Sequence, residues 1–375
     1  MSSSQRYDIA IVGGGLVGAC LAEELAWLGV RVAVVDAGSD PGHATAQAAG
    51  VAVPSLRYLG DAPFCQWLHL AREALVQDIL RLEPEHGSFS LARPILRALR
   101  PQDLGLLPDG VDSPGLGAPV PSSELADLRP VPRLTEDRVA FLALDGLVVG
   151  GRAYLLAVQA AAMQSGVEWF QGRSVTEIED GTEGAILRFS NGSPLRADRV
   201  VVAAGAWTGQ LVPVPVGPQR GQLVVLDSAT QLGYILSSRL YLAPLPTGEI
   251  VVGATEEDTG FVQECTAGGV AGLLSFAVRT MPELTHAAVR ATRAGLRPVS
   301  ATGRPLIGKV PGRQRLFVAA GHGGHGLLTS RLTGRGMAAG LVHGDWDQVP
   351  LQMCPAEALT TASVASSADL PVMGR

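Results

Sequence analysis

The chain has 375 residues, 47% of them hydrophobic and 17% charged, with a formal net charge of −6. That composition is globular and lies well outside the disordered range, and the length suits two closely joined domains rather than one core. The acidic balance, without a basic run or Lys/Arg stripe, gives nucleic-acid binding no electrostatic support.

Residues Tyr7 to Val12 read as an apolar strand with Ile9, Ile11 and Val12 buried, and the chain then turns through Gly13-Gly14-Gly15-Leu16-Val17-Gly18. A helix over Ala19 to Leu28 follows, with Leu21, Leu25 and Leu28 on one side and Gly29 as its C-terminal cap. Val30 to Val35 form the next strand, which ends at Asp36, 18 residues after Gly18. A strand, a Gly-x-Gly-x-x-Gly turn, a helix and a second strand ending in an acid build a pocket for the ADP half of a dinucleotide. Gly13 permits the tight turn, Gly15 lets backbone approach the pyrophosphate, and Gly18 lets helix and strand pack closely. The amides of the helix N-terminus, at Leu16, Val17 and Gly18, meet the pyrophosphate where the dipole favours negative charge. Asp36 is placed to accept a bond from the ribose hydroxyl, which disfavours a 2′-phosphate and hence NADP. The motif does not separate NAD from FAD.

Residues 37–55 read as a Gly/Ala-rich loop whose small side chains let backbone lie against a flat ligand. Residues 62–83 are predicted helical, with Phe64, Leu68, Leu75, Ile79 and Leu82 on one face. Prolines interrupt 101–132, which reads as an irregular excursion, and a helix over 151–165 ends at Gly166. Strands are predicted near Val167–Phe170, Ser174–Ile178, Ala185–Phe189 and Arg199–Ala203. The run Val200 to Ala203 is a buried parallel strand that ends in small residues, so the nucleotide domain is discontinuous, with the segment near 86–150 inserted into it. Residues 220–295 alternate in the antiparallel manner, with strands at Gln222–Leu226, Leu240–Ala243 and Ile250–Gly253 and a helix near 268–280. A short strand, Leu316–Ala320, leads into Gly321-His322-Gly323-Gly324-His325-Gly326 and a last helix to about Ala339. Residues 355–375 are Ala/Ser/Thr-rich and read as a frayed tail. No apolar run reaches the ~18–20 residues of a membrane span, and residues 1–6 are short and polar, so no secretory leader is expected. Cys20, Cys65, Cys265 and Cys354 are scattered without a Cys-x-x-Cys pair, so no metal site or disulfide framework is expected and a cytoplasmic home is the simplest reading.

The collinear anchors are Gly13 to Asp36, Ala48-Ala49-Gly50, Ala203-Ala204-Gly205-Ala206-Trp207, Arg220-Gly221-Gln222, Tyr241-Leu242-Ala243-Pro244, Gly253 to Phe261, Gly295-Leu296-Arg297-Pro298 and Ala320-Gly321-His322. In this order, over about residues 7–340, they resemble the glycine oxidase and D-amino-acid oxidase family of FAD flavoenzymes, and glycine oxidase most of all. The resemblance implies an α/β plus α+β chain. A discontinuous Rossmann-type FAD-binding domain takes 1–85, 150–212 and 296–350, and an antiparallel-sheet substrate-binding domain takes 86–149 and 213–295. It implies non-covalent FAD held by Thr45, Ala46, Gln47 and the Ala48 to Gly50 loop along the pyrophosphate and isoalloxazine. Val175 is expected to face adenine through its backbone, and Ala204, Gly205, Trp207 and Arg297 to line the site. Gly321 to Gly326 are expected to end beneath the flavin pyrimidine, with helix N-terminal amides stabilising negative charge on the reduced ring.

The activity implied is oxidation of a small amino acid or N-substituted glycine, by hydride transfer from the α-carbon to flavin N5. The imine is hydrolysed to an oxo acid, and oxygen is reduced to hydrogen peroxide. Arg297 is the candidate carboxylate clamp, because a planar guanidinium grips both oxygens at once. Tyr241 is the candidate second donor to that carboxylate. Glycine oxidases usually carry Gly-His-Tyr-Arg-Asn-Gly at the last motif, whereas here Gly323 takes the aromatic position and Gly324 the arginine. A second departure is Leu245, where the family often carries arginine. Room for a larger or differently charged substrate is expected, with His325 replacing part of the missing charge and titrating near neutrality. The competing readings are a flavin dehydrogenase that passes electrons to a quinone or partner protein, and an oxidase of a larger amine in specialised metabolism. Family members are often homo-oligomers, an expectation the resemblance extends to this chain.

Overall fold

The computed structural model describes residues 6–38, 43–58, 60–104, 116–135 and 137–365. The chain opens with strand β1 (Arg6–Val12), helix α1 (Leu16–Trp27), strand β2 (Val32–Asp36), a short helix α2 (His43–Gln47) and the long helix α3 (Ala62–His86). Asp61 caps α3 by accepting the Phe64 amide at 3.3 Å, and Gly87 ends it. Next come β3 (Ser90–Ala92), β4 (Ile95–Leu99), α4 (Pro101–Leu104), β5 (Ala118–Val120), α5 (Ser122–Leu125), β6 (Val139–Ala143) and β7 (Leu147–Val149). Helix α6 (Gly151–Gln164) leads to β8 (Glu168–Gln171), β9 (Val175–Asp180), β10 (Ala185–Phe189), β11 (Leu195–Val202) and α7 (Thr208–Leu211). The second half holds β12 (Val216–Asp227), β13 (Ile235–Ser237), β14 (Tyr241–Pro244), β15 (Ile250–Gly253), α8 (Ala267–Thr280) and β16 (Ala288–Ser300). It closes with β17 (Leu306–Lys309), β18 (Leu316–Ala320), α9 (Gly326–His343) and α10 (Pro355–Ala365).

One sheet runs β17-β18-β11-β1-β2-β8, with the β9–β10 hairpin hung on β11. Its central strands are parallel and buried on both faces, which explains their continuous Val/Ile/Ala runs. Helices α1, α3, α6 and α9 share the core on one face. The other sheet runs β16-β12-β15-β14-β13-β4-β6-β5 and is antiparallel except where β13 meets β4. Alternation divides its residues between faces. Val224, Leu242 and Val252 pack with Leu273 and Ala277 of α8, while Leu223, Val225, Ala243 and Val251 pack toward Ala49, Val51 and Val53. Tyr241 belongs to this second face, the one that looks at the Gly/Ala-rich segment.

Four expectations need correction. Residues 37–55 contain the α2 turn rather than loop throughout, and Gly42 lies outside the described residues. The proline-rich stretch contains β5, which extends the antiparallel sheet beyond β6, although 105–115 lie outside the described residues. Residues 355–365 form α10, seated on β17 with Ala358 buried, so the frayed reading fails there, and 366–375 lie outside the described residues. Residues 296–300 complete β16 and therefore lie in the antiparallel sheet.

Beneath the four helices sits a buried ionic cluster. Arg331 of α9 donates to Glu23 Oε2 of α1 at 2.5 Å, to Asp78 Oδ2 of α3 at 2.9 Å and to Glu24 Oε1 at 3.1 Å. Tyr154 of α6 donates to the same Asp78 oxygen at 2.6 Å. Arg81 and Arg335 complete the cluster at its rim.

Candidate active site

The carboxyl ends of β1, β2, β11 and β18 emerge on one edge of the parallel sheet, where open α/β sheets bind ligands. Gly13 follows β1 with φ +112°, and a Cβ there would lie 2.3 Å from the Ala203 carbonyl oxygen. A Cβ at Gly18 would lie 2.0 Å from the Gly13 carbonyl oxygen. Side chains are excluded at both positions. Around Gly15, Gly205, Gly323 and Gly324 the situation is opposite, since a Cβ would meet no atom within 4 Å. The first turn of α1 has no side-chain cap, so the amides of Leu16, Val17 and Gly18 form a ready anion site beside the open space at Gly15. Open glycines and an uncapped helix N-terminus at the strand edge suit a dinucleotide.

Asp36 accepts the Gly14 amide at 2.6 Å and the Gly38 amide at 2.9 Å, which ties the end of β2 to the glycine turn. The Arg173 amide donates to the Asp36 carbonyl at 2.9 Å, bringing Val175, at the head of β9, beside the same end. Thr45, Ala46 and Gln47 of α2 pack on β16, and Gly151 at the head of α6 approaches the Thr45 carbonyl so closely that a Cβ would lie 2.5 Å away. Ala48 donates to that carbonyl, Ala49 packs on the antiparallel sheet, and the Gly50 carbonyl accepts the Val149 amide at 2.8 Å. The Gly205–Trp207 turn touches β12 and β16, and the Trp207 ring lies 5.6 Å from that of Phe261.

The last motif closes against β16 as well. His322 forms a backbone bridge to Val299, while its ring turns away into the helix layer and meets Thr333 Oγ1 at 3.1 Å. Burial, helped by the His325 ring, pushes the His322 pKa down to about 3. His325 packs its ring edge-on to Tyr58 at 5.4 Å, and burial with the nearby Arg57 charge pushes its pKa down to about 4. Burial thus works against the cationic His325 expected from the sequence and favours the neutral imidazole. Gly321 and Gly326 bracket this turn, with Gly326 opening α9.

Arg297 lies on β16, where these turns converge. Its Nη1 donates to the Thr255 carbonyl at 2.9 Å, and among the described residues no carboxylate pairs with it. The guanidinium lies flat over Gly221, where a Cβ would come within 2.6 Å of Arg297 Cζ. Tyr241 Oη sits against Gly253 of the neighbouring strand. Burial pushes the Tyr241 pKa up to about 12, against the pull of the Arg297 charge and with help from Glu256. The structure thus brings Arg297 and Tyr241 within electrostatic reach of each other.

Sequence reasoning missed one half-exposed ion pair beside Tyr241 and His325. Arg57 Nη2 meets Glu256 Oε1 at 3.2 Å, with both side chains about half exposed (52% and 48%). The Glu256 charge acts on Tyr241 and the Arg57 charge on His325, so the pair spans the two. Glu256 stood inside the Gly253–Phe261 anchor and was a readable signal. Arg57 had none, because it sits in a turn with no motif.

The family described as FAD dependent oxidoreductase matches residues 8–340. A glycine oxidase of Geobacillus kaustophilus is 29% identical over 88% of this chain and 92% of its own. The hydrogen cyanide synthase subunit HcnC of Pseudomonas aeruginosa is 30% identical over 94% of this chain and 95% of its own. The crystal structure of the G. kaustophilus glycine oxidase superposes with a TM-score of 0.83 at 28% identity, covering 91% of this chain and 95% of that one. An iminodiacetate oxidase from Chelativorans sp. BNC1 superposes with a TM-score of 0.82 at 28% identity, covering 92% and 98%. Matched over most of its length and built around a cradle that suits a dinucleotide, the chain belongs to the FAD-dependent oxidoreductase family, and its cofactor is FAD.

Proposed function

We propose that this flavoprotein oxidises a small amine that carries a carboxylate on its α-carbon, glycine itself or an N-substituted glycine. The imine product is hydrolysed to an oxo acid, and oxygen is reduced to hydrogen peroxide. The observation that carries this reading is Arg297. It is held by one backbone carbonyl and pairs with no acid among the described residues, so the rest of its fork is left for a ligand carboxylate. Tyr241, kept protonated far above neutrality, donates to the same carboxylate or closes the pocket over it. FAD, when bound, supplies the two-electron acceptor at the α-carbon. The chain's part is to fix the carboxylate, hold the α-hydrogen toward the flavin and keep the amine neutral at transfer.

In this reading Gly13, Gly15, Leu16, Val17 and Gly18 hold the pyrophosphate, Asp36 a ribose hydroxyl and Val175 the adenine. Thr45 through Gly50, Ala204, Gly205, Trp207 and Gly321 through Gly326 line the rest. His325 serves as a neutral wall. The FAD-binding and substrate-binding units are the two sheets with their helices. The free thiols of the described cysteines suit the cytoplasm. Two relatives named as oxidases, of glycine and of iminodiacetate, favour amines of this kind. A second reading, in which electrons pass to a quinone or partner protein, is kept because one relative is named as a subunit of a larger synthase.

The test is anaerobic bleaching of the ~450 nm flavin band, a signal borne by the cofactor. The panel is glycine, sarcosine, D-alanine, D-proline and longer N-alkyl glycines, followed by air. Bleaching with fast reoxidation and peroxide is expected. Bleaching with slow reoxidation selects the second reading, and no bleaching by any of them rejects the substrate class.

A further inference from the structure

The stretch Arg220-Gly221-Gln222 of β12 works on both faces of its sheet. Successive side chains of a strand alternate. Gly221 forms the bed under the Arg297 guanidinium, while Arg220 and Gln222 point to the opposite face and are 4% and 0% exposed. There they grip the segment that follows β15. Arg220 and Glu257 exchange backbone hydrogen bonds at 2.9 Å in both directions. The Thr255 amide donates to the Gln222 carbonyl at 3.1 Å, and the Gln222 amide donates to Thr255 Oγ1 at 2.8 Å.

Side chains lock this pairing. The Arg220 guanidinium is forked onto Glu257 Oε2, and its Nη1 donates to the Glu264 carbonyl at 3.0 Å. Gln222 Nε2 donates to Glu257 Oε1 at 2.6 Å and to Thr266 Oγ1 at 3.1 Å, while its Oε1 accepts the Thr266 amide at 2.7 Å. Burial raises the Glu257 pKa, but hydrogen bonds from Thr255, Arg220 and Gln222 outweigh it and hold the carboxyl below its ordinary range. The residue so fixed is Thr255, whose carbonyl is the hydrogen-bond partner of Arg297.

We propose that Arg220, Gln222 and Glu257 are positioning residues for the substrate carboxylate, acting through the Thr255 carbonyl to aim the Arg297 guanidinium. The inference rests on the reading of Arg297 as the carboxylate clamp. A cation that must present two parallel N–H groups to a carboxylate gains from being held before the ligand arrives. Thr255 supplies that hold without spending the charge on a protein acid, and the Glu257 cluster keeps Thr255 in place from the far side of the sheet.

The experiment compares wild type, Glu257→Ala, Glu257→Gln, Arg297→Ala and the Glu257→Ala/Arg297→Ala double variant as flavin-loaded enzymes. Two quantities are read with glycine or sarcosine under anaerobic conditions: the initial slope of flavin reduction rate against concentration, and the limiting rate. Glu257→Ala is expected to lower the slope about 10- to 100-fold and the limiting rate by less than about 3-fold. Glu257→Gln keeps one oxygen, for Arg220, but sets its amide nitrogen against Gln222 Nε2, and is expected to recover part of the slope. In the Arg297→Ala background Glu257→Ala is expected to add less than about 2-fold, because the two act in series. An equal fall of slope and limiting rate, or full additivity, overturns the inference. If Glu257→Ala fails to retain flavin, Arg220→Lys takes its place, with the same outcomes. Should Arg297→Ala itself leave the slope unchanged, the clamp reading falls, a result distinct from failure of the positioning.

Discussion

Arg331 and Arg297 carry the same forked cation inward, into opposite surroundings. Arg331 is fully buried and meets Glu23, Glu24 and Asp78 from two other helices. Arg297 is half-buried and meets one backbone carbonyl. A buried charge must be compensated. The Arg331 cluster does this within the protein and so joins helices. The Arg297 site has no acid partner among the described residues, which is what the proposed carboxylate clamp requires. The role of an arginine is thus written in its partners rather than in its depth.

The comparison breaks most visibly at Arg331. Arg331→Met strands Glu23 and Asp78 without their main counter-charge and is expected to cost about 3–5 kcal/mol. Thermal unfolding of the loaded enzyme checks this. Arg335→Ala, at the half-exposed rim of the same cluster, is expected to cost under about 1 kcal/mol. Arg297→Ala is expected to do the reverse. Its stability change stays within about 1 kcal/mol, the worth of one hydrogen bond, while the slope of flavin reduction by a carboxylate amine falls by about 100-fold or more. Unfolding as damaging as that of Arg331→Met would make Arg297 structural.

Smaller changes sharpen the contrast. Tyr241→Phe removes one phenolic donor and is expected to lower the slope about 10-fold. Burial raises that phenol to about 12, so it stays protonated, and wild-type and variant profiles should run parallel from about pH 6 to 10. The smallest effect is expected at His325. A pKa lowered to about 4 means the ring has already lost its proton below neutrality, so His325→Asn should leave the pH–rate profile unchanged from about pH 6 to 8. A limb near pH 6.5 that vanishes in the variant would show that the ring titrates there.

The sequence made legible what depends on local pattern. The β1–α1–β2 unit, the amphipathic α3 and the Gly29 stop of α1 announce themselves through glycines, an acid and helical periodicity. Strand β16 did not, beyond its Arg297-Pro298 end. Its Ala-Val-Arg-Ala-Thr-Arg-Ala-Gly run lacks strong apolar alternation, because it lies at a sheet edge and is held through backbone pairing to β12. Helix α10 was hidden by its Ala/Ser/Thr content, since its place is fixed by docking on β17 rather than by its own propensity. The ionic cluster was hidden for a different reason. Glu23, Asp78 and Arg331 come from distant stretches, and each reads singly as a solvated charge. At the site, the pairing of Arg297 with Thr255 and of Arg57 with Glu256 follows from long-range sheet register, which local spacing does not encode.

The strand order of the parallel sheet also sets a timetable. β1 pairs with β11, and β11 with β18, so the strand edge proposed to hold the flavin joins residues near 13, 36, 204 and 321. The β1–β11 and β11–β18 joins each close a loop of a hundred residues or more, and such contacts form late because their entropy is met before they are rewarded. On a ribosome delivering the chain from its N-terminus, the glycine turn emerges first and waits for most of the polypeptide before its partners arrive. The strand edge that the proposed cofactor site uses is therefore complete only once β18 has been delivered.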